Sequence, residues 1–459
     1  MTVTLKLPDS LARDLAEKAR LSVETAGVLL VGIAQSEDDL QLLGREVHWV
    51  PDDQYIVREG DRLSIRSGGY TRALKRADEI GALAVWLHTH PGGWPINSVY
   101  DDEVDTQLRD VFTIRTGQDF FGSLVFSPAE AGLFQFSGRV YLDHGVLPVS
   151  RVWAVGPRFR LISSVDSPET DQAPTLYDRQ VRAFGGEIQK VLRRLRVAVV
   201  GAGGTGSAVV EQLARLGVGN LLLVDPDELE DTNLTRVYGS SPADIDEPKA
   251  EVLERHVRTI APGVAVESIV GRSTDRPVAT TLAHADLIFG CSDDNAGRLV
   301  LSRLSSYYLI PVIDCGVLLS SRDGTLLGID GRVTVLAPGY PCLICRNRID
   351  LARAAAEQLS PEERRQRQDE GYAPELGRIE PSVVTYTSLV ASLAVAELIE
   401  RLAGYGPTPA PSELLMRAHE REISTNATKL TPGHFCDPIA GQIGGGDQEP
   451  FLGMVWRTG

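Results

Sequence analysis

The sequence is poor in cysteine, in histidine and in positive charge. Its 459 residues include five cysteines, an odd number scattered over a long chain, which argues against a disulfide scaffold. Lys and Arg total 46 against 62 Asp and Glu, so the net charge of −16 makes a nucleic acid an unfavourable main partner. No apolar run reaches the roughly 20 residues that a membrane span needs, and the N-terminus has no signal-peptide core. We therefore expect a cytoplasmic protein without a membrane or nucleic-acid partner.

Two sequence patterns divide the chain. The N-terminal part mixes an amphipathic helix with apolar strands and turns, whereas strand–helix alternation begins near residue 175 and predicts a doubly wound α/β domain. The predicted organisation is an α+β domain over residues 1–156, a Pro-containing polar linker over 157–174, the α/β domain over 175–430 and a Gly-rich tail over 431–459.

Two of only eight histidines stand one residue apart, directly after the apolar strand at residues 84–87. On a strand, residues two apart point to the same face, so His88 and His90 can share a ligand. The turn Pro-Gly-Gly follows, and then come Ser98 and Asp101. Two imidazoles, one carboxylate and a water form a ligand set typical of catalytic zinc.

The spacing His-x-His-x7-Ser-x2-Asp resembles the JAMM motif of the JAB/MPN metalloprotease family, whose upstream glutamate on the first helix is matched by Glu24. The resemblance implies that His88, His90 and Asp101 bind zinc, that Glu24 is the general base and that Ser98 donates to the oxyanion. It also implies hydrolysis of peptide or isopeptide bonds after the C-terminal glycine of a ubiquitin-like protein. A degenerate, non-catalytic JAB domain is the alternative.

A glycine-rich turn follows the predicted strand at residues 196–200. Gly201-x-Gly203-x-x-Gly206 leads into a helix, an arrangement that lets backbone N–H groups approach a phosphate at the helix N-terminus. Asp225, at the end of the next strand, is placed to bind ribose hydroxyls. A NAD-dependent dehydrogenase would show the same turn.

The residues around this turn resemble the E1/ThiF/MoeB adenylyltransferase family over about residues 175–405. The matching segments are Tyr177-Asp-Arg179-Gln180, Asp225-Pro-Asp227, Asp231-Thr-Asn233-Leu-Thr-Arg236, Lys249 and Gly290-Cys-Ser-Asp293. The resemblance implies ATP-dependent adenylation of the C-terminal carboxylate of a ubiquitin-like protein, in a homodimer that serves an E2-like enzyme or another acceptor.

The resemblance also assigns roles to individual residues. Arg179, Arg236 and Lys249 are implied to surround the triphosphate, Arg179 from the partner subunit in many relatives, while Asp293 is implied to bind Mg²⁺. The residues implied to bind ATP are Gly201, Gly203, Gly204, Gly206, Asp225, Asp227, Asn233, Arg236, Lys249 and Asp293.

The cysteines depart from the family pattern. Cys342-Leu-Ile-Cys345 resembles the first half of the family's structural Cys₄ zinc site, but the second Cys-x-x-Cys is absent. Cys436, with His434, could complete a second, Cys₃His zinc site. A reduced thiol pair without metal, or a redox pair, remains open.

No cysteine lies between Arg346 and Phe435, where relatives that form thioesters carry their nucleophile. Either the adenylate passes directly to an acceptor, or a Ser, a Thr or Cys436 carries it.

The predicted function is a bifunctional enzyme of a bacterial ubiquitin-like pathway, combining a JAMM zinc peptidase with an E1-like adenylyltransferase. One alternative is a sulfur-carrier-protein adenylyltransferase for cofactor or amino-acid biosynthesis. The other is a scaffold in which only one domain is active.

Overall fold

The structure is a computed structural model that describes residues 1–130, 132–143, 145–167, 174–360, 362–363, 365–366 and 381–456. The chain divides into two compact units. Unit 1 comprises Met1–Thr170, Tyr307–Leu309 and Gly441–Met454, and unit 2 comprises Asp171–Ser306, Ile310–Ala440 and Val455–Gly459.

Unit 1 contains three helices and ten strands among its described residues. They are β1 (Thr2–Pro8), α1 (Asp9–Ala19), β2 (Ala26–Gln35), β3 (Asp39–Trp49), β4 (Tyr55–Arg58), β5 (Leu63–Ile65), α2 (Gly68–Ile80), β6 (Leu83–Thr89), α3 (Val99–Thr116), β7 (Phe120–Pro128), β8 (Phe134–Leu142), β9 (Gly145–Val155) and β10 (Phe159–Ser163).

Eight of these strands form one sheet in the order β1-β3-β2-β6-β7-β8-β9-β10, and β1 also pairs with β9. That extra pairing closes the sheet on itself and leaves few edges unpaired. Apolar side chains of α1 pack with those of the sheet in one core, and α2 and α3 cover a second. The strand that carries His88, β6, lies between β2 and β7 and is therefore held on both sides.

Unit 2 alternates strands and helices before ending in antiparallel strands. Its elements are α4 (Asp178–Phe184), α5 (Gly186–Arg194), β11 (Arg196–Val200), α6 (Gly204–Leu216), β12 (Asn220–Val224), α7 (Lys249–Ile260), β13 (Ala265–Ile269), α8 (Arg276–Leu282), β14 (Leu287–Gly290), α9 (Asn295–Tyr307), β15 (Val312–Arg322), β16 (Thr325–Leu336), α10 (Leu351–Glu357), α11 (Val384–Ala403), β17 (Glu413–Arg417) and β18 (Glu422–Thr425).

The sheet of unit 2 has the order β13-β12-β11-β14-β15-β16-β17-β18, parallel from β13 to β15 and antiparallel beyond. The chain leaves β11 towards β12 on one side and returns as β14 on the other. Ligands of doubly wound sheets bind at such a switch point, outside the carboxyl ends of the strands. The predicted Rossmann-like α/β architecture is present.

Several predicted boundaries differ from the structure. β1 was not predicted, and β10 lies inside the predicted linker because buried Phe159 packs against Trp153 in the sheet of unit 1. Residues 168–173 of that linker lie outside the described residues. The tail predicted over 431–459 is divided, since Gly441–Met454 belongs to unit 1.

Towards the C-terminus, α11 is the longest of the helices named above, and the charged segment over 352–370 that follows the start of α10 lies partly outside the described residues. No helix among the described residues has the length and apolar character that crossing a membrane requires.

Candidate functional site

Two glycines of the turn in unit 2, Gly201 and Gly206, stand where a side chain cannot fit. Gly201 has φ +98°, and a Cβ there would lie 2.8 Å from the backbone carbon of Cys291. A Cβ on Gly206 would lie 1.7 Å from the Gly201 carbonyl oxygen. Helix α6 begins at Gly204, inside the glycine motif, so its first N–H groups belong to the turn itself. These N–H groups at the helix N-terminus are donors suited to a phosphate.

Asp225 closes the turn from the end of β12. Its carboxylate accepts the Ala202 N–H at 2.6 Å and the Asp227 N–H at 2.9 Å, and burial raises the pKa of this carboxyl group. Both oxygens are engaged within the turn, so a ribose hydroxyl would have to share them.

Cationic side chains flank the same turn. Lys249 Nζ lies 3.1 Å from Asp227 Oδ2, and the Cγ and Cδ atoms of Arg236 lie 3.3 Å from where a Cβ on Gly204 would stand. Asn233 is buried in the short turn before Arg236. Arg236 thus lies beside Gly204, and Lys249 is linked to the turn through Asp227 and Asp225. The predicted roles of these residues in binding ATP stay predictions.

Arg179 is not part of this group. It is exposed on α4, and within the described part of the chain no hydrogen bond or ion pair joins it to the glycine turn. Its predicted role through a partner subunit stays a prediction.

Asp293 follows the loop that touches Gly201. The backbone of Cys291 and Ser292 packs against Gly201, and Asp293 is exposed two residues later. Its neighbour Asp294 is used differently, because Asp294 Oδ2 accepts the Gly297 N–H at 2.6 Å and caps α9. The sequence analysis missed this cap, although an aspartate just before a predicted helix is its usual signal.

In unit 1, His88, His90 and Asp101 come together. His88 Nε2 lies 3.1 Å from His90 Nε2 and 3.3 Å from Asp101 Oδ1, and His90 Nε2 lies 3.6 Å from Asp101 Oδ2. Ligands about 2.0–2.1 Å from a tetrahedral zinc ion are separated by roughly 3.3 Å. The three side chains therefore fit one metal ion, which would use these atoms as ligands.

The groups around this cluster are also placed for it. His90 Nδ1 lies 3.2 Å from the Trp94 carbonyl oxygen, which orients the ring, whereas His88 Nδ1 is buried with no hydrogen-bond partner among the described residues. Ser98 caps α3, and its hydroxyl donates to Asp101 Oδ2 at 2.7 Å. In this arrangement the Ser98 hydroxyl, which was predicted to donate to an oxyanion, donates its hydrogen bond to Asp101 instead.

Glu24 lies between α1 and β2, not on the first helix as predicted, because α1 ends at Ala19. It is 7% exposed. Burial raises the pKa of its carboxyl group, and the neighbouring His88 and His90 act in the opposite direction. The carboxyl group of Glu24 is therefore within electrostatic range of both imidazoles.

Cys342, Cys345, His434 and Cys436 form a second cluster, in unit 2. The Cys342–Cys345 and Cys345–Cys436 sulfur atoms are 3.8 and 3.6 Å apart, and His434 Nδ1 lies 3.4 Å from the sulfur atoms of Cys342 and Cys436. Zn–S bonds of about 2.3 Å give tetrahedral edges of roughly 3.8 Å. The predicted Cys₃His set is thus assembled with zinc-binding geometry.

Comparison with known proteins identifies the family of unit 2. A family model described as "ThiF family" matches residues 177–434. Molybdopterin-synthase adenylyltransferase of Escherichia coli (strain K12) is 30% identical over 251 residues, which cover 54% of this chain and 89% of that protein. SAMP-activating enzyme E1 of Haloferax volcanii is 33% identical over 184 residues, 40% of this chain and 63% of that protein.

A solved structure, E. coli MccB with ATP, aligns at a TM-score of 0.44 and 20% identity, covering 56% of this chain and 73% of that chain. The family match does not extend to residues 1–176, so the JAB resemblance of unit 1 stays a prediction. Because residues 177–434 make up more than half of the 459-residue chain, this protein belongs to the ThiF family and carries a Rossmann-like, ThiF/MoeB-type adenylyltransferase domain.

Proposed function

We propose that unit 2 adenylates the C-terminal carboxylate of a sulfur-carrier or other ubiquitin-like protein. The observation that carries this proposal is the glycine turn at the start of α6, with Arg236 beside Gly204 and Lys249 paired with Asp227. Two relatives are named for such cargo, the SAMP-activating enzyme and the sulfur carrier protein ThiS adenylyltransferase of E. coli. This places the sulfur-carrier alternative ahead of the bifunctional prediction.

The reaction requires charge neutralisation more than acid–base chemistry. A carboxylate oxygen of the cargo attacks the α-phosphorus of ATP, the bond to the β-phosphate oxygen breaks, and pyrophosphate leaves. The N–H groups at the start of α6 would stabilise the phosphates, while Lys249 and Arg236 would offset the charge of the leaving group. Asp293, whose carboxylate is exposed, would hold Mg²⁺, and the ion would neutralise part of the phosphate charge.

The fate of the adenylate follows from the missing nucleophile. Since no cysteine lies between Arg346 and Phe435, a thioester in that region is impossible. Cys436 faces Cys345 and His434 in the zinc-binding cluster, which makes it unsuitable as a carrier. Direct transfer of the adenylate to a sulfur donor or another acceptor is therefore the favoured route.

ATP–pyrophosphate exchange tests this function with purified ubiquitin-fold proteins of the source organism that end in glycine. We expect exchange with at least one of them and a loss of about 100-fold or more in Asp293→Ala, because a single preorganised group at a transferring phosphate has that effect. Glu24→Ala should retain exchange. Exchange that is absent with every such protein, or unchanged in Asp293→Ala, would contradict the proposal.

A second candidate function for unit 1 is a zinc peptidase that cleaves after the glycine of the same cargo. The observation that favours it is the tetrahedral spacing of His88, His90 and Asp101 beside the buried Glu24. Zinc, when bound, lowers the pKa of a coordinated water, and Glu24 would take its proton. The same proposal includes an E2-like enzyme as an acceptor of the activated cargo. It also includes a homodimeric assembly and a cytoplasmic location.

The zinc content of the purified protein distinguishes a zinc peptidase from a unit 1 that binds no metal. We expect one zinc equivalent for each cluster, with His88→Ala removing the equivalent of unit 1 and Cys436→Ser that of unit 2. Glu24→Ala should retain both ions yet lose cleavage of a cargo–peptide fusion while keeping pyrophosphate exchange. Full zinc content in His88→Ala, or cleavage that persists in Glu24→Ala, would rule out the peptidase.

A further inference from the structure

Three polar residues, Asp293, Asp294 and Asn295, stand at the start of α9, and hydrogen bonds among the described residues anchor the second and third. Asp294 accepts the Gly297 N–H. The buried Asn295 accepts the Asp350 N–H at 2.9 Å through Oδ1 and donates Nδ2 to Glu357 at 3.3 Å. Asp293 has no hydrogen bond or ion pair described in the structure and is exposed. The structure thus fixes the second and third of these residues and leaves the first free for a ligand.

Glu357 is the hydrogen-bond acceptor for the residues at the start of α9. It ends α10, and its Oε2 accepts the Ala296 N–H at 2.8 Å, 61 residues away along the chain. Its Oε1 accepts from Asn295 and from Arg353 Nε at 3.3 Å. The side chain is 15% exposed, so these bonds are largely sheltered from water.

A carboxylate in this position has two effects on α9. It satisfies a first-turn N–H group that has no partner within the helix, and its negative charge is favourable at the positive end of the helix dipole. Without it, the Ala296 N–H and the buried Asn295 amide lose their acceptor, and the first turn of α9 can fray.

The opposite end of the loop is already fixed by packing. The backbone of Cys291 and Ser292 lies against Gly201, so closely that a Cβ on that glycine would sit 2.8 Å from either one. Asp293 is therefore held between this contact and the cap formed by Glu357. If the first turn of α9 frayed, the Asp293 carboxylate would adopt a wider range of positions.

We propose that Glu357 is a positioning residue for the Mg²⁺–nucleotide site of unit 2. This inference rests on the proposed adenylation and on Asp293 as the Mg²⁺ ligand. Mg²⁺ demands near-ideal octahedral geometry, so a ligand that wanders by a fraction of an ångström loses affinity for the ion. Glu357 touches neither nucleotide nor metal, and acts through Asn295 and Ala296.

The test follows binding of a fluorescent nucleotide, mant-ATP, to the full chain as Mg²⁺ is titrated, which requires no cargo protein. In Glu357→Ala we expect the Mg²⁺ concentration for half-maximal binding to rise by about tenfold or more, the range found when partners that orient a metal ligand are removed. Glu357→Gln keeps one acceptor oxygen and should show a smaller rise. Nucleotide binding at saturating Mg²⁺ should return towards that of the unchanged protein.

The matched control is Glu254→Ala on α7, a partly buried glutamate bonded to Arg258 and Ser268 but not to the loop. A rise in Glu357→Ala no greater than in Glu254→Ala, or weaker nucleotide binding with an unchanged Mg²⁺ midpoint, overturns the inference. If Glu357→Ala fails to fold, Glu357→Gln decides, and an unchanged midpoint there overturns it.

Asp293→Ala separates this inference from the function it rests on. If Asp293→Ala leaves the Mg²⁺ dependence unchanged, the assigned ligand is wrong and the proposed site falls. If Asp293→Ala abolishes that dependence while Glu357→Ala does not alter it, only the role of Glu357 is refuted.

Discussion

At the scale of single residues, the glycines of the turn are not equivalent. A Cβ on Gly206 would overlap the Gly201 carbonyl oxygen, whereas a Cβ on Gly203 would meet nothing within 4 Å. We expect Gly206→Ala to lower the free energy of unfolding by about 1–3 kcal/mol or more, the cost of overpacking a close contact. Gly203→Ala is the control and should leave it nearly unchanged. Chemical denaturation measures both, and equal effects would contradict the described turn.

The same comparison shows which residues a sequence can identify. Gly201 and Gly206 were predictable because a tight turn before a helix restricts the backbone. This restriction places glycines at a fixed spacing within a few residues of one another. Glu357 was not predictable, since it caps a helix 61 residues away and its own surroundings read as a charged helix end. Spatial neighbours without a fixed spacing in the sequence leave no local pattern.

At the scale of elements, the hairpin of β4 and β5 holds the segment that carries Glu24. The Glu24 N–H donates to the Glu59 carbonyl at 2.7 Å. Arg58 donates to the Glu24 carbonyl at 3.1 Å and to Thr25 Oγ1 at 2.9 Å. The hairpin therefore fixes the backbone of Glu24, a relationship that the spacing of the JAMM-like motif does not contain.

Removing Arg58 should displace the Glu24 carboxylate and leave the cluster of His88, His90 and Asp101 intact. If unit 1 is a peptidase, we expect Arg58→Ala to lower kcat for fusion cleavage by about 10²-fold, since a base displaced by about 1 Å is poorly aligned. Zinc content should not change. Arg66→Ala is the matched control, because Arg66 directly follows β5 and, among the described residues, its side chain hydrogen-bonds the Asp53 carbonyl and not the Glu24 segment. Loss of zinc in Arg58→Ala, or equal losses of kcat in both variants, would contradict this account.

At the scale of the whole molecule, the strand–helix alternation after residue 175 was sufficient to predict a doubly wound sheet. Its period is local, and each βα unit buries its own apolar face. The set of chain segments that make up unit 1 was not predictable in the same way. Tyr307–Leu309 and Gly441–Met454 join it from positions far along the chain. The Gly-rich strap formed by residues 441–454 has no apolar period in the sequence that would predict its place in unit 1.

The strap is nevertheless bonded to unit 1 at defined points. Asp447 accepts the Gln35 N–H at 2.9 Å and the Tyr308 hydroxyl at 2.8 Å, and its own N–H donates to the Ile33 carbonyl at 2.7 Å. A Cβ on Gly32 would lie 2.1 Å from the Gly444 carbonyl oxygen, so the strap passes directly over the end of β2.

Asp447→Ala therefore should weaken unit 1 although it lies near the C-terminus. It leaves the Gln35 N–H and the Tyr308 hydroxyl without their acceptor, a loss of about 1–3 kcal/mol. Hydrogen exchange followed by mass spectrometry should show faster exchange at the end of β2, around Ile33 and Gln35. Truncation of residues 455–459 keeps the whole strap and should leave that exchange unchanged. Faster exchange at the end of β2 in the truncated chain, or no increase in exchange there in Asp447→Ala, would mean that the strap does not stabilise β2.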